Sequence, residues 1–161
     1  MTRTYPLWGL FAAVIVGCVA LARRRRVGRA QLLVAWALSS LLFWGLAGLV
    51  GYAGSRVANA INLGGLGDKR RVLGFMIGAS LGGLAGAPLG IALAERWLRK
   101  AWPRPPALLL SSAAVALVAA VMLFTLQRLD NAEQQAGKSV LVVFPLLGAA
   151  GVLGWLIGER P

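Results

Sequence analysis

Few side chains in this sequence are suited to acid–base, nucleophilic or metal chemistry. The 161 residues include five carboxylates, one cysteine and no histidine. Without histidine, the chain lacks the usual haem ligand, the commonest zinc ligand and the side chain that ordinarily titrates near neutral pH. No carboxylate lies inside an apolar block, and no two carboxylates have metal-ligand spacing. The sequence therefore predicts a protein that is not an enzyme, with no catalytic residues, no metal and no cofactor.

Basic residues are numerous, and their position predicts contact with lipid. Seventeen lysines and arginines against five acidic residues give a net charge of +12. They stand in short segments between apolar blocks, where basic residues contact anionic lipid headgroups and fix topology. This placement argues against nucleic acid as a partner. The candidate contacts for an anion or a lipid headgroup lie in the longest polar segment: Arg56, Lys69, Arg70 and Arg71.

A regular series of glycines predicts a helix-packing surface. Glycine occupies every fourth position in one apolar block, at Gly74, Gly78, Gly82, Gly86 and Gly90. In a soluble helix each of these glycines would cost about 1 kcal/mol relative to alanine. Inside a bilayer, small residues at this spacing let two helix backbones approach closely. The series is therefore interpreted as a glycine zipper that docks its helix against a neighbour.

The preceding apolar block holds the leading candidate for that neighbour. Gly45, Gly48 and Gly51 recur there at a spacing of three, which also permits close approach. The last apolar block and a second copy of the chain are the alternative partners. Pro88 and Pro145 lie inside apolar blocks, and both are candidate hinges because proline removes a backbone donor and kinks a helix.

The elements that must position these residues are membrane spans. Hydrophobic residues make up 58% of the chain and cluster in five blocks, each near the length of a membrane-spanning helix. The predicted spans are 6–22, 30–54, 72–94, 107–126 and 139–157. We expect an all-α fold in which residues 1–161 form one integral membrane domain. This polytopic protein would be a compact bundle of five transmembrane helices with the glycine zipper in the third.

Two polar segments and one charged pair complete the expected architecture. Residues 57–66 are too short and too polar to span, so they are interpreted as a short interfacial or re-entrant helix. Residues 127–138 are predicted to form a polar loop. Glu95 and Arg99 are four residues apart, a spacing at which an ion pair forms along one helix face.

Charge asymmetry predicts the orientation of the bundle. With the N-terminus outside, the inner segments carry ten of the lysines and arginines and the outer segments carry seven. Cytoplasmic loops are normally the more basic ones, so the C-terminus is expected on the cytoplasmic side. The basic cluster at 69–71 then lies outside, and charge asymmetry does not explain it.

The leading functional hypothesis is a small non-catalytic integral membrane protein that serves as a packing or assembly subunit. Through its glycine-zipper contacts it would join a larger membrane complex or form a homo-oligomer. Its partners would be the lipid bilayer, anionic headgroups and other membrane subunits or itself. An oligomeric channel or a transporter of small solutes such as anions is the first alternative. A membrane enzyme acting on lipid-linked phosphate is the second, with Arg70 and Arg71 as phosphate contacts.

Overall fold

The computed structural model describes residues 5–61, 69–127 and 132–159, with side chains over 9–61, 71–122 and 145–159. Within these ranges the chain forms helices and short connections, without a strand. The helices are α1 (Tyr5–Arg24), α2 (Arg29–Ala60), α3 (Lys69–Arg99), α4 (Pro105–Gln127) and α5 (Ala132–Gly158).

Three of the helices are long and apolar enough to cross a membrane. They are α2, the Arg71–Arg99 part of α3 and the Pro105–Met122 part of α4. At 1.5 Å per residue, the 32 residues of α2 extend for roughly 48 Å, well beyond a hydrocarbon core about 30 Å thick. These helices indicate a membrane-embedded protein. That α1 and α5 also cross remains a prediction, as does the orientation of the termini.

All five helices extend beyond the spans predicted from the sequence, and two of these extensions change the expected architecture. Residues 57–60 continue α2, so over these residues there is no separate interfacial helix, and residues 62–66 of the expected segment lie outside the described ranges. At the other end of the chain, α5 begins at Ala132 and includes residues that were expected in a loop. Apart from Gly137, the run 132–138 consists of alanine, glutamate, glutamine and lysine, which favour helix although most of them are polar.

The connection between α1 and α2 is a tight turn at the end of α1. The amide N–H of Val27 donates to the Ala22 carbonyl at 3.0 Å, and that of Arg26 donates to the Arg23 carbonyl at 3.2 Å. These two bonds form a Schellman motif, which needs a left-handed residue after the helix. Arg26 takes that position with φ 55°, where glycine is the usual residue.

The core is built around α5, which contacts all four other helices. Its inward residues are almost fully buried, and they include Leu146, Val152, Trp155 and Leu156. The chain runs up and down, so α2 and α3 are antiparallel neighbours that pack on one side of α5, with α1 and α4 also against it. One end of the bundle therefore carries the connections 25–28 and 100–104 and the end of α5.

Candidate functional site

The predicted glycine surface of α3 lies directly against the backbone of α2. A Cβ placed at any of its five glycines would come within 3.0 Å of α2 atoms, a distance that real Cβ atoms essentially never show. The neighbouring α2 residues are Gly54 for Gly74, Val50 for Gly78, Leu46 for Gly82, Leu42 for Gly86 and Leu38 for Gly90. From one contact to the next, the residue number rises by four in α3 and falls by four in α2. The two antiparallel helices therefore keep the same register along the whole contact.

The absence of side chains on α3 brings α2 carbonyl groups onto the α3 backbone. At Gly78, Gly82 and Gly86, the atom nearest to the added Cβ is a backbone carbonyl oxygen of α2. Glycine Cα–H groups facing carbonyl oxygens in this way make weak hydrogen bonds that recur at close helix–helix contacts. The contact therefore combines dispersion with many small polar attractions, and any side chain at these positions would separate the two helices.

Only part of the expected glycine series in α2 takes part in this contact. A Cβ at Gly51 would meet the Phe75 ring at 3.0 Å and the Ala79 Cβ at 3.2 Å. Gly45 and Gly48, which were expected to support the contact, are exposed, and an added Cβ would meet nothing within 4 Å. The reason is geometric. Each step of three residues changes the direction of the glycine by about 60° around the helix, so Gly45 and Gly48 point away from α3 and Gly51 points towards it.

Both candidate hinge prolines lie inside uninterrupted helices. Pro88 has no N–H for the carbonyl of Leu84, and the hydroxyl of Ser112 in α4 donates to that oxygen at 3.2 Å. In α5, the indole N–H of Trp36 donates to the carbonyl of Pro145 at 3.0 Å. Ser112 thus supplies a donor to the carbonyl that Pro88 leaves free, as expected for proline in a membrane helix. A hinge role of either proline remains a prediction.

The four basic residues proposed as anion contacts lie where α2 ends and α3 begins. The Arg56 guanidinium carbon sits 5.9 Å from the centre of the Tyr52 ring, and Arg71 Nε donates to Asn59 Oδ1 at 3.2 Å. Arg56 and Arg71 are both exposed. Lys69 and Arg70 belong to the first turn of α3, but their side chains lie outside the described ones. The described contacts of this group are therefore local ones within the hairpin.

A buried carboxylate at the opposite end of the hairpin was not expected from the sequence. Glu95 is 3% exposed, and its Oε1 accepts a hydrogen bond from the Gln31 side-chain amide of α2. Its Oε2 lies 3.5 Å from Arg99 Nη1, which confirms the predicted pair at this spacing. Gln31 could be recognised as a partner only after α2 and α3 were known to be antiparallel. The Gln31–Glu95–Arg99 contact closes the hairpin where the glycine series stops.

Polar side chains also meet in the interior, between α2, α4 and α5. Ser39, Ser40 and Ser111 are buried, and their hydroxyl oxygens have no hydrogen-bond partner. A Cβ at Gly151 would lie 3.0 Å from Ser39 Oγ and 3.3 Å from Ser111 Oγ. Small residues on all three helices thus permit close packing at this point. Among the described residues, no three of histidine, cysteine, aspartate and glutamate are grouped to hold a metal ion.

Comparison of the chain with protein-family models, with curated proteins and with solved structures gives no match.

Proposed function

We propose that the protein is a non-catalytic integral membrane protein that acts as a packing subunit of a membrane assembly. In this proposal the α2–α3 contact is the internal scaffold, and the outer face of α2 receives a helix of another chain. A single observation carries the proposal. On this outer face, two exposed glycines stand between larger side chains with open space in front of them.

The outer face has the geometry of a shallow notch. Leu41, Gly45, Gly48 and Tyr52 lie on one side of α2, at helical spacings of four, three and four. Leu41 is 59% exposed and Tyr52 is 63% exposed, whereas an added Cβ at either glycine meets nothing within 4 Å. We call these four residues the outer notch. Small residues on a lipid-facing helix surface let a second helix approach its backbone, which supports a packing role for this face.

The test is to fill the outer notch without disturbing the fold. A variant carrying Gly45→Leu and Gly48→Leu is expected to lose no thermal stability, because both new side chains enter open space. Its assembly with itself or with a co-purifying subunit should be lost. Native mass spectrometry and cross-linking in nanodiscs measure whether the protein assembles with itself and whether it binds a co-purifying subunit. Ala116→Leu, at an exposed position of α4, is the matched control and should assemble as the unaltered protein does.

The outcomes separate the candidate functions. Unchanged assembly in the filled-notch variant, or a monomeric unaltered protein without a stoichiometric partner, would contradict the packing role. Anion flux through liposomes containing only this protein would favour the channel or transporter. Turnover of a lipid-linked phosphate by the pure protein would favour the enzyme.

A further inference from the structure

Four arginines line a cavity of about 570 Å³ at the end of the bundle that carries the α1–α2 turn. Three of them come from the end of α1 and the turn after it, and the fourth comes from the end of α3. The polar lining consists of Arg24, Arg25, Arg26, Arg99, Trp155 and Glu159. Four positive charges against one negative charge make the cavity an attractive place for an anion.

Two residues of this lining, Arg25 and Trp155, each carry a hydrogen-bond donor atom that is buried without an acceptor. Trp155 is 1% exposed, and its indole Nε1 has no hydrogen-bond partner. Arg25 Nη1 is also buried and unpartnered, although Nη2 of the same side chain lies 3.5 Å from the carbonyl oxygen of Ile157. Buried donors are almost always paired in folded proteins, and leaving one unpaired is unfavourable. A ligand that supplies acceptor oxygens would satisfy both.

A purely structural role explains only part of this arrangement. Helices α1, α3 and α5 all end here. Basic side chains near helix C-termini are favourable because the last carbonyl oxygens carry a partial negative charge. The bond from Arg25 to Ile157, at the end of α5, is an example of that role. It does not provide an acceptor for Arg25 Nη1 or for Trp155 Nε1. The unpaired donors, rather than the arginines alone, therefore point to a ligand.

Size and donor geometry indicate the chemical class of this ligand. The cavity falls within the range of about 300–1,000 Å³ typical of small-molecule sites, and one water molecule occupies only about 30 Å³ of liquid. A free inorganic ion would leave most of it filled with water. Guanidinium groups match the oxygens of phosphate in paired hydrogen bonds. We propose that this cavity binds the phosphate of an organic ligand, with Arg25 and Trp155 donating to its oxygens.

The Gln31–Glu95–Arg99 contact helps to shape this site. Arg99 is partly exposed and lines the cavity, and its guanidinium pairs with the buried Glu95 carboxylate. Glu95 is thus a positioning residue for one wall of the cavity. Because Gln31 in turn fixes Glu95, the wall is connected to the start of α2.

The surroundings favour a lipid headgroup as the source of the phosphate. An apolar cavity of about 280 Å³ lies between α1 and α2 and reaches α5, with Phe11, Cys18, Trp36 and Val152 in its lining. On α5, Val152 is one helical turn from Leu156 of the arginine cavity. Near the same end of the bundle, exposed Trp102 stacks with Arg96 at 5.8 Å, as interfacial tryptophans do at headgroup depth. A lipid placed here has room for part of an acyl chain beside its headgroup.

The experiment compares two sources of the same chemistry. The protein is placed in nanodiscs of phosphatidylcholine, and binding of added phosphatidylglycerol is followed by native mass spectrometry. In the second arm, soluble glycerol 3-phosphate and inorganic phosphate are titrated into phosphatidylcholine nanodiscs. The variants are Trp155→Phe, which keeps an aromatic ring but removes the Nε1 donor together with part of the indole, and Arg25→Gln. Arg104→Gln is the matched control, since Arg104 is exposed near the same end but does not line the cavity.

We expect selective retention of phosphatidylglycerol, because the choline cation cancels the phosphate charge in phosphatidylcholine. This retention should weaken about tenfold in each cavity variant and stay unchanged in the control. Equally tight binding of glycerol 3-phosphate, with the same response to the variants, would assign the site to a soluble phosphate ester. Binding of neither source, or equal weakening by Arg104→Gln, would overturn the proposal. Thermal unfolding of the variants without added ligand tests their folding, and Trp155→Phe carries the test if Arg25→Gln does not fold. The site is independent of the outer notch, so either proposal can fail alone.

Discussion

In α3 the glycines recur every four residues and meet one neighbour along their whole length, whereas in α5 they recur mostly every three and meet several helices in turn. The five α3 glycines of this series lie on the backbone of α2, and Gly83 lies against the Phe43 ring of the same helix. In α5, Gly148 lies against Ser40 of α2, and Gly151 lies among residues of α2, α3 and α4. Further along, Gly154 and Gly158 lie on the backbone of α4 at Leu110 and Ala107.

Helix geometry explains the difference. Four residues rotate a position by about 40° beyond a full turn, and a neighbouring helix can follow that drift by crossing or wrapping. Three residues fall short of a full turn by about 60°, so successive glycines soon face another neighbour. The α2 series behaves like the one in α5, because it passes from the open positions Gly45 and Gly48 to contact at Gly51. A spacing of four thus gives a surface that contacts one neighbouring helix, whereas a spacing of three gives glycines that contact several helices in turn.

The largest effect is expected for Gly82→Leu in the middle of the α3 series. Any side chain there would overlap the backbone of Leu46 and separate α2 from α3, with a loss of about 3 kcal/mol or more of stability. Thermal unfolding in detergent or nanodiscs measures this loss. Gly48→Leu is the matched control, because it introduces the same side chain into open space. Equal stability of the two variants would contradict the conclusion that the α3 glycines are packed against a neighbour and that Gly48 is not.

A smaller loss is expected for Gly154→Ala in α5. Its methyl group would press on backbone atoms of Leu110 and Ser111, which cannot move aside freely, so we expect about 2 kcal/mol of destabilisation. Gly151→Ala meets side-chain atoms at 3.0 Å and beyond, and it should cost about half as much. Chemical unfolding of both variants ranks them. The reverse order would show that the α4 backbone yields more easily than the packed serines.

Continuity of α3 across Pro88 is tested by Ser112→Ala. The proline lies between Gly86 and Gly90, and the Ser112 hydroxyl donates to the carbonyl that Pro88 cannot reach. Loss of this donor should lower stability by about 1 kcal/mol. Ser80→Ala serves as control, since the Ser80 hydroxyl is exposed and bonds within its own helix to Met76. A similar effect of both changes would mean that the freed carbonyl finds another donor.

The smallest effect, with the opposite sign, is expected for Gly45→Ala. Its methyl group meets nothing, and replacing glycine by alanine in a helix reduces the freedom of the unfolded chain. Stability should rise by about 0.5 kcal/mol. The melting temperature of the monomer, measured under conditions that prevent assembly, tests this sign. A loss of stability would indicate a neighbour at Gly45 within the single chain.

The sequence predicts helical architecture well because runs of apolar residues have a simple physical meaning. Apolar blocks located the helices, but helix ends were missed where good helix formers were polar, as in residues 132–138 of α5. The spacing of four predicts a contact surface on α3, and in the structure the glycines of this surface lie against α2. Gly45 and Gly48 share the small size of the α3 glycines, but their rotation around the helix turns them away from α3.

The arginine cavity illustrates what the sequence alone does not predict. Arginines at the end of an apolar block are sufficiently explained by membrane topology. These arginines share one cavity with Arg99 and Trp155 because α1, α3 and α5, which are far apart in the sequence, end side by side. The unpaired donors that indicate a ligand are properties of burial, not of residue type. Such a site becomes visible only when the helix ends are placed together.

The position of α1 has a consequence for the order of assembly during synthesis. Helices α2 and α3 are consecutive, so their hairpin can form as soon as the ribosome has released both. The thiol of Cys18 in α1, by contrast, lies 3.3 Å from the carbonyl oxygen of Ala149, 131 residues further along the chain. Helix α1 thus obtains its main neighbour only when α5 emerges, after α2, α3 and α4 have been made. Nascent chains that end before α5 would leave α1 without that neighbour, and a chaperone or protease of the membrane would meet it in that state.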